Sequence, residues 1–166
     1  MGGIIDVDDP SFVHPGDMPA RVRDYCRAAG QPVPDTIGEV ARCVLEGLAL
    51  RYRAVFGSIA QVTGRPTTVV HVVGGGSRND LLNQLTADVI GLAVRTGPAE
   101  ATSMGNLLVQ LVALGELEGL DDVREGVRRS DSGRLVEPRD PSNWGEHYNR
   151  FRDLVAPAPS VRDLVD

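Results

Sequence analysis

Residues 69 to 80 read Val69-Val70-His71-Val72-Val73-Gly74-Gly75-Gly76-Ser77-Arg78-Asn79-Asp80. The valine-rich run with one polar interruption predicts a short strand buried on both faces, and it stops at three glycines followed by helix-starting residues. Glycine allows positive φ and lets a ligand reach the main chain, while a helix start offers unpaired N–H groups and partial positive charge. Strand, glycine turn and helix start in succession therefore suit a phosphate-bearing ligand. A tight connection with no ligand is the alternative reading of the same residues.

Spacing excludes the two common phosphate motifs. A dinucleotide fingerprint requires a glycine three positions after Gly76, where this chain has Asn79. A Walker loop requires Gly-Lys-Ser/Thr, and all 17 basic residues of this chain are arginine. A ligand at this turn would rely on backbone and Asn79.

The flanking segments predict what the turn is packed between. Thr36 and Glu39 form a capping box that opens the longest helix. Val40, Val44, Leu48, Tyr52, Val55, Ile59 and Val62 keep helical period to a stop at Gly64 and Pro66. So long an apolar stripe predicts core packing, most simply on a sheet. Beyond the turn, Asn79 or Asp80 caps a helix with Leu82, Leu85 and Val89 inward, ending at Gly91. Residues 92–96 predict a second strand, Gly97-Pro98 breaks it, and Glu100 to Leu114 predicts a helix with a smooth Ala101/Gly105 patch. Helix, strand, helix, strand, helix is an α/β order that calls for parallel pairing with crossovers. Two strands are too few for the helices present, which predicts that further strands lie outside the chain or come from a partner.

The ends carry weaker signals. Residues 1–18 predict an ordered surface loop, and Pro19 begins a short helix through Val22, Tyr25 and Cys26 to Ala29-Gly30. Leu120 to Arg129 predicts a helix with an exposed arginine face, and Asp131-Ser132-Gly133 a turn. Trp144, Tyr148 and Phe151 at helical spacing predict a C-terminal helix docked on the core, and residues 156–166 a flexible tail.

Composition narrows the function classes. At 166 residues, 42% hydrophobic and net charge −6, the chain reads as one soluble domain of residues 1–155 plus the tail, and it lacks the basic face that nucleic acid demands. No run of 18 apolar residues occurs, and Asp6, Asp8 and Asp9 are unlike a signal peptide, so a cytoplasmic protein with no membrane partner is expected. Cys26 and Cys43 are expected as free, buried thiols, and with histidines only at 14, 71 and 147 no metal cluster is visible.

Several ordered motifs together resemble a known family. They are Ile5-Asp6-x-Asp8-Asp9-Pro10-x-Phe12, Pro15-Gly16-Asp17-Met18-Pro19, Tyr25-Cys26, Gly30-Gln31 and Cys43-x-Leu45-Glu46-x-Leu48-Ala49-x-Arg51-Tyr52. Val72 to Gln84, Thr86-Ala87-Asp88, Gly97-Pro98-x-Glu100-Ala101-Thr102 and Gly105-Asn106 complete the series. The chain resembles the C-terminal portion of the FGGY carbohydrate kinases, with the early loop pointing to the rhamnulokinase branch. The resemblance implies an actin-like ATPase architecture with ribonuclease-H-like domains, few strands covered by several helices, and ATP as phosphoryl donor to a ketose, with Mg2+ in the complete enzyme. By position it implies nucleotide contacts at Gly74, Gly75 and Gly76, Gly75 above all, with Asn79 near the nucleoside. It implies no catalytic residue here, because the phosphate loop, catalytic aspartate and most sugar contacts belong to an N-terminal kinase domain absent from this sequence; Asp80 and Asp88 are expected as cap and surface residues. The fragment alone is then expected to be inactive, or, alternatively, to act as a nucleotide-binding module or split-enzyme subunit.

Overall fold

The computed structural model describes residues 2–130 and 133–155. Six helices and three short strands are found among them: α1 (Met18–Ala28), α2 (Ile37–Thr63), β1 (Val70–Val72), α3 (Asp80–Ile90), β2 (Val94–Thr96), α4 (Ala101–Ala113), α5 (Leu120–Ser130), β3 (Leu135–Val136) and α6 (Trp144–Leu154). Local chemistry sets the helix ends. Thr36 and Glu39 make the reciprocal capping box at the start of α2, Asp17 caps α1 by accepting from Ala20 N, and Gly64 and Gly91 close α2 and α3 in left-handed conformation.

β1 and β2 pair in parallel, Val70 opposite Val94 and Val72 opposite Thr96, as the element order requires. β3 then adds to β2 antiparallel, with Val94 opposite Val136. This third strand is not among the expected elements, because two residues are too few to show a period-2 pattern. Of the expected turn at 131–133 only Gly133 lies within the described residues, and the expected tail lies outside them.

The core has three connected parts. Ile4, Leu50, Leu85, Val89, Trp144 and Phe151 join the N-terminal segment to α2, α3 and α6, so the C-terminal helix docks on the core as its aromatic spacing predicts. Ile5, Val22, Cys26, Val40 and Cys43 lock α1 to α2, and Val70, Ala87, Val94 and Val136 place α3 against the sheet. Residues 2–17 are ordered but not merely superficial. Ile4 and Ile5 are buried, and the Gln31 side-chain amide pairs with both Ile4 N and Ile4 O at 2.8 Å, as a neighbouring strand would.

The burial of α2 corrects the sequence expectation. Its buried positions are Val40, Cys43, Glu46, Gly47, Ala49 and Leu50, while Val55, Ile59 and Val62 are exposed, Val62 by 73%. The helix packs chiefly on α3 rather than on the sheet, and its 27 residues reach far beyond strands of three. At the Ala101/Gly105 patch, nothing lies within 4 Å of a Cβ at Gly105, and α4 touches mainly α5. The arginines of α5 are exposed as expected, with Arg124 paired to Asp121 and Arg128 and Arg129 to Glu125.

Candidate functional site

The parallel pairing continues past the ends of β1 and β2. Gly97 N donates to Val72 O at 2.8 Å, and Gly74 N donates to Pro98 O at 2.9 Å. The two glycine-containing turns are thereby pinned side by side at the carboxyl ends of adjacent parallel strands, the position at which open α/β sheets take ligands.

Each residue of the first turn has a distinct job. Gly74 sits at φ 77° and ψ −166°, a conformation open essentially to glycine alone. A tight 3-10 turn over Gly75–Arg78 follows, closed by Ser77 N and Ser77 Oγ donating to Gly74 O at 3.0 and 2.8 Å. Asn79 accepts from Leu82 N through its side chain at 3.0 Å and so caps α3. Nothing lies within 4 Å of a Cβ built on Gly74 or Gly75, so this rim opens outward.

Asn83 supports the turn from below. It is 1% exposed in α3, and its Nδ2 donates to Ser77 O at 3.0 Å and to Gly76 O at 3.5 Å. Sequence reasoning misses this role. The available signal is a polar residue on the inward face, four positions after the cap.

Beside the turn lies a cleft of about 550 Å³ with Ser77, Arg78 and Asp80 on one side and Gly97, Pro98 and Glu100 on the other. Gly74, Gly75, Gly76 and Asn79 do not line this cleft themselves; they form the open surface next to it. Arg78 and Glu100, both lining the cleft, approach each other at 3.8 Å and are well exposed. Asp80 is paired with Arg134, whose hydrogen bond and positive charge hold the carboxyl below the usual aspartate range. A carboxylate stabilised in its ionised form is a poor proton acceptor, which agrees with a structural role for Asp80.

Asp88 also has a structural task, though not the plain surface position expected. Half-buried in α3, it accepts from Arg139 N at 2.7 Å and from Gln84 Nε2 at 3.0 Å, fastening the chain beyond β3. Among the described residues no group of three His, Cys, Asp or Glu stands ready to hold a metal. Cys26 and Cys43 are free and buried. Burial, and next the neighbouring Cys26, pushes the Cys43 thiol up to about 12, so it is not an activated nucleophile.

Residues 2–114, which contain both pinned turns, match the profile of the FGGY family of carbohydrate kinases, C-terminal domain. The chain belongs to the FGGY family. Rhamnulokinases are among its relatives: one from Bacteroides thetaiotaomicron is 43% identical over 152 residues, covering 92% of this chain and 31% of the relative. One from Enterococcus faecalis is 49% identical over 128 residues (76% and 26%), and one from Klebsiella pneumoniae is 46% identical over 149 (90% and 30%). The chain thus spans under a third of the length of these curated relatives. Among solved structures, a gluconate kinase from Lactobacillus acidophilus matches with TM-score 0.56 at 16% identity, over 70% of this chain and 23% of that one. A xylulose kinase from Rhodospirillum rubrum matches with TM-score 0.52 at 26% identity, over 72% and 24%. The FGGY chain therefore has the actin-like fold of sugar kinases, here as a helix-rich unit around a small sheet. No helix among its described residues is long and apolar enough to cross a membrane.

Proposed function

We propose that this chain forms the adenosine-side wall of the ATP site of a rhamnulokinase, which transfers a phosphoryl group from ATP to L-rhamnulose to give L-rhamnulose 1-phosphate and ADP. The nucleoside lies against Gly74, Gly75 and Gly76, with Asn79 as a nearby polar group. The observation that carries this reading is the pinning of Gly74 N to Pro98 O beside an open rim, where Gly75 has no protein neighbour that a side chain would meet. Backbone approach by a flat ligand is what such a surface permits. The specificity for rhamnulose rests on the relatives, because this reading places no sugar contact in the chain.

The chain's own task is binding and orientation. Asn83 and the Gly97-Pro98 loop keep the turn rigid, so little is spent on ordering it when the nucleotide arrives. The groups that act on the reacting phosphoryl belong, on this reading, to the N-terminal kinase domain, the partner of this one in the complete enzyme. Magnesium, which neutralises phosphate charge in such transfers, finds no fitting donor set among the described residues, and no step of the reaction runs through it in this chain. An ATP-dependent sugar kinase of this kind works in the cytoplasm.

Titration of the 166-residue chain with a fluorescent ADP analogue and, separately, with L-rhamnulose tests the division of labour. Nucleotide binding without sugar binding is expected, and no ADP release in a coupled assay. Sugar binding without nucleotide binding, or turnover by the chain alone, overturns it.

A further inference from the structure

The cleft beside the glycine turn has a wall that the family motifs do not include. Gly133 and Arg134, just before β3, are held against Thr96, and Arg134 reaches it by three hydrogen bonds across 38 residues of sequence. Thr96 N donates to Arg134 O at 2.8 Å, Arg134 N donates to Thr96 Oγ1 at 2.9 Å, and Thr96 Oγ1 donates to Arg134 O at 3.3 Å. The approach is so close that a Cβ on Gly133, at φ 61°, would collide with Thr96 O. The Arg134 side chain is tethered as well, its Nη2 donating to the Asp80 carboxylate, and both residues line the cleft. Its Nε and Nη1 have no hydrogen-bond partner among the described residues. The result is a half-exposed planar cation held at the backbone by Thr96 and at one guanidinium nitrogen by Asp80.

The charge around it narrows the ligand chemistry. The cleft carries two arginines, Arg78 and Arg134, against two carboxylates, Asp80 and Glu100, each arginine being paired with one of them. A neutralised wall is poorly suited to a polyphosphate and well suited to an uncharged aromatic ring. Pro98, Ala99 and Met104 add apolar surface to the same cleft. A guanidinium plane stacks on aromatic faces, and its free donors can meet ring nitrogens.

We propose that Arg134 is a nucleobase-binding residue of this site, offering its guanidinium plane to the base while Asp80 holds it in place. The inference rests on the nucleotide reading above and adds to it a residue outside the FGGY motifs. The test is calorimetric or NMR titration of the chain, wild type and variants, with adenosine and with ADP, alongside thermal melting. Arg134→Ala is expected to weaken adenosine and ADP by the same factor, about tenfold, the size of a partly desolvated stacking contact. Arg134→Lys keeps the charge and loses the plane, so it is expected to restore little of that affinity. Unchanged adenosine binding by Arg134→Ala overturns the proposal. Weakening of ADP alone assigns Arg134 to phosphate and overturns it too, as does full rescue by lysine. A wild-type chain that binds neither ligand refutes the underlying nucleotide reading independently of Arg134, and the proposal with it.

Discussion

Replacing Gly75 with valine separates ligand approach from backbone geometry. Gly75 is not at positive φ, and a Cβ there meets nothing within 4 Å, so neither conformation nor packing within this chain demands glycine. On the protein alone, Gly75→Val therefore behaves as a surface substitution, within about 0.5 kcal/mol. A nucleoside lying on this backbone would instead be displaced by the isopropyl group. A misfit of that size costs about 1–3 kcal/mol, or roughly 5- to 150-fold in affinity. Gly74→Val is the contrast: at φ 77° and ψ −166° its strain is about 1–3 kcal/mol, which lowers the melting temperature by several degrees before any ligand is added. The assay pairs thermal melting with ADP titration of the chain, and with Michaelis constants for ATP and sugar in a full-length kinase carrying the same substitution. Gly75→Val should leave melting nearly unchanged and raise the constant for ATP far more than that for sugar. Lost stability with intact nucleotide affinity, or equal effects on both substrates, would refute the reasoning and leave Gly75 a purely structural residue.

The remaining predictions concern stability. A Cβ on Gly47 would lie 2.8 Å from Ile5 O and 3.1 Å from Val7 Cγ1, so Gly47→Ala should destabilise by about 1–3 kcal/mol in urea unfolding as the N-terminal segment is pushed off α2. The Glu39 carboxyl is held below its usual range by backbone N–H groups of Thr36 and Asp35, so its contribution is complete above the unfolded pKa and fades as pH falls through the lower folded value. Glu39→Gln should accordingly melt below wild type near neutrality and converge with it as the carboxyl protonates in acid, whereas a gap that widens on acidification contradicts the capping-box origin.

The legibility of the candidate site divides along sequence distance. The glycine turn, its strand and the following helix occupy one short window, and Gly97-Pro98 is equally local, so both turns can be read from neighbouring residues alone. Their hydrogen bond, Gly74 N to Pro98 O, is implied only through parallel pairing. Asn83 stands within a motif, yet nothing in the motif reveals its hold on Ser77 O. The Thr96–Arg134 and Asp80–Arg134 links carry no signal at all, because a two-residue strand has no period.

What the sequence by itself determined is the set of helix boundaries and turns: the Thr36/Glu39 box, the glycine stops at 64 and 91, the triple glycine after β1. These depend on backbone groups within a few residues, and the side chains that satisfy them are adjacent in the chain. Only the tertiary structure decided which stripe of α2 is buried. Periodicity marks an apolar face equally along Val55, Ile59 and Val62, but burial needs a partner surface, and α3 with the N-terminal segment supplies one chiefly around Cys43, Gly47 and Leu50. The same holds for the cleft, whose far wall at Arg134 reaches α3 by folding back across 54 residues.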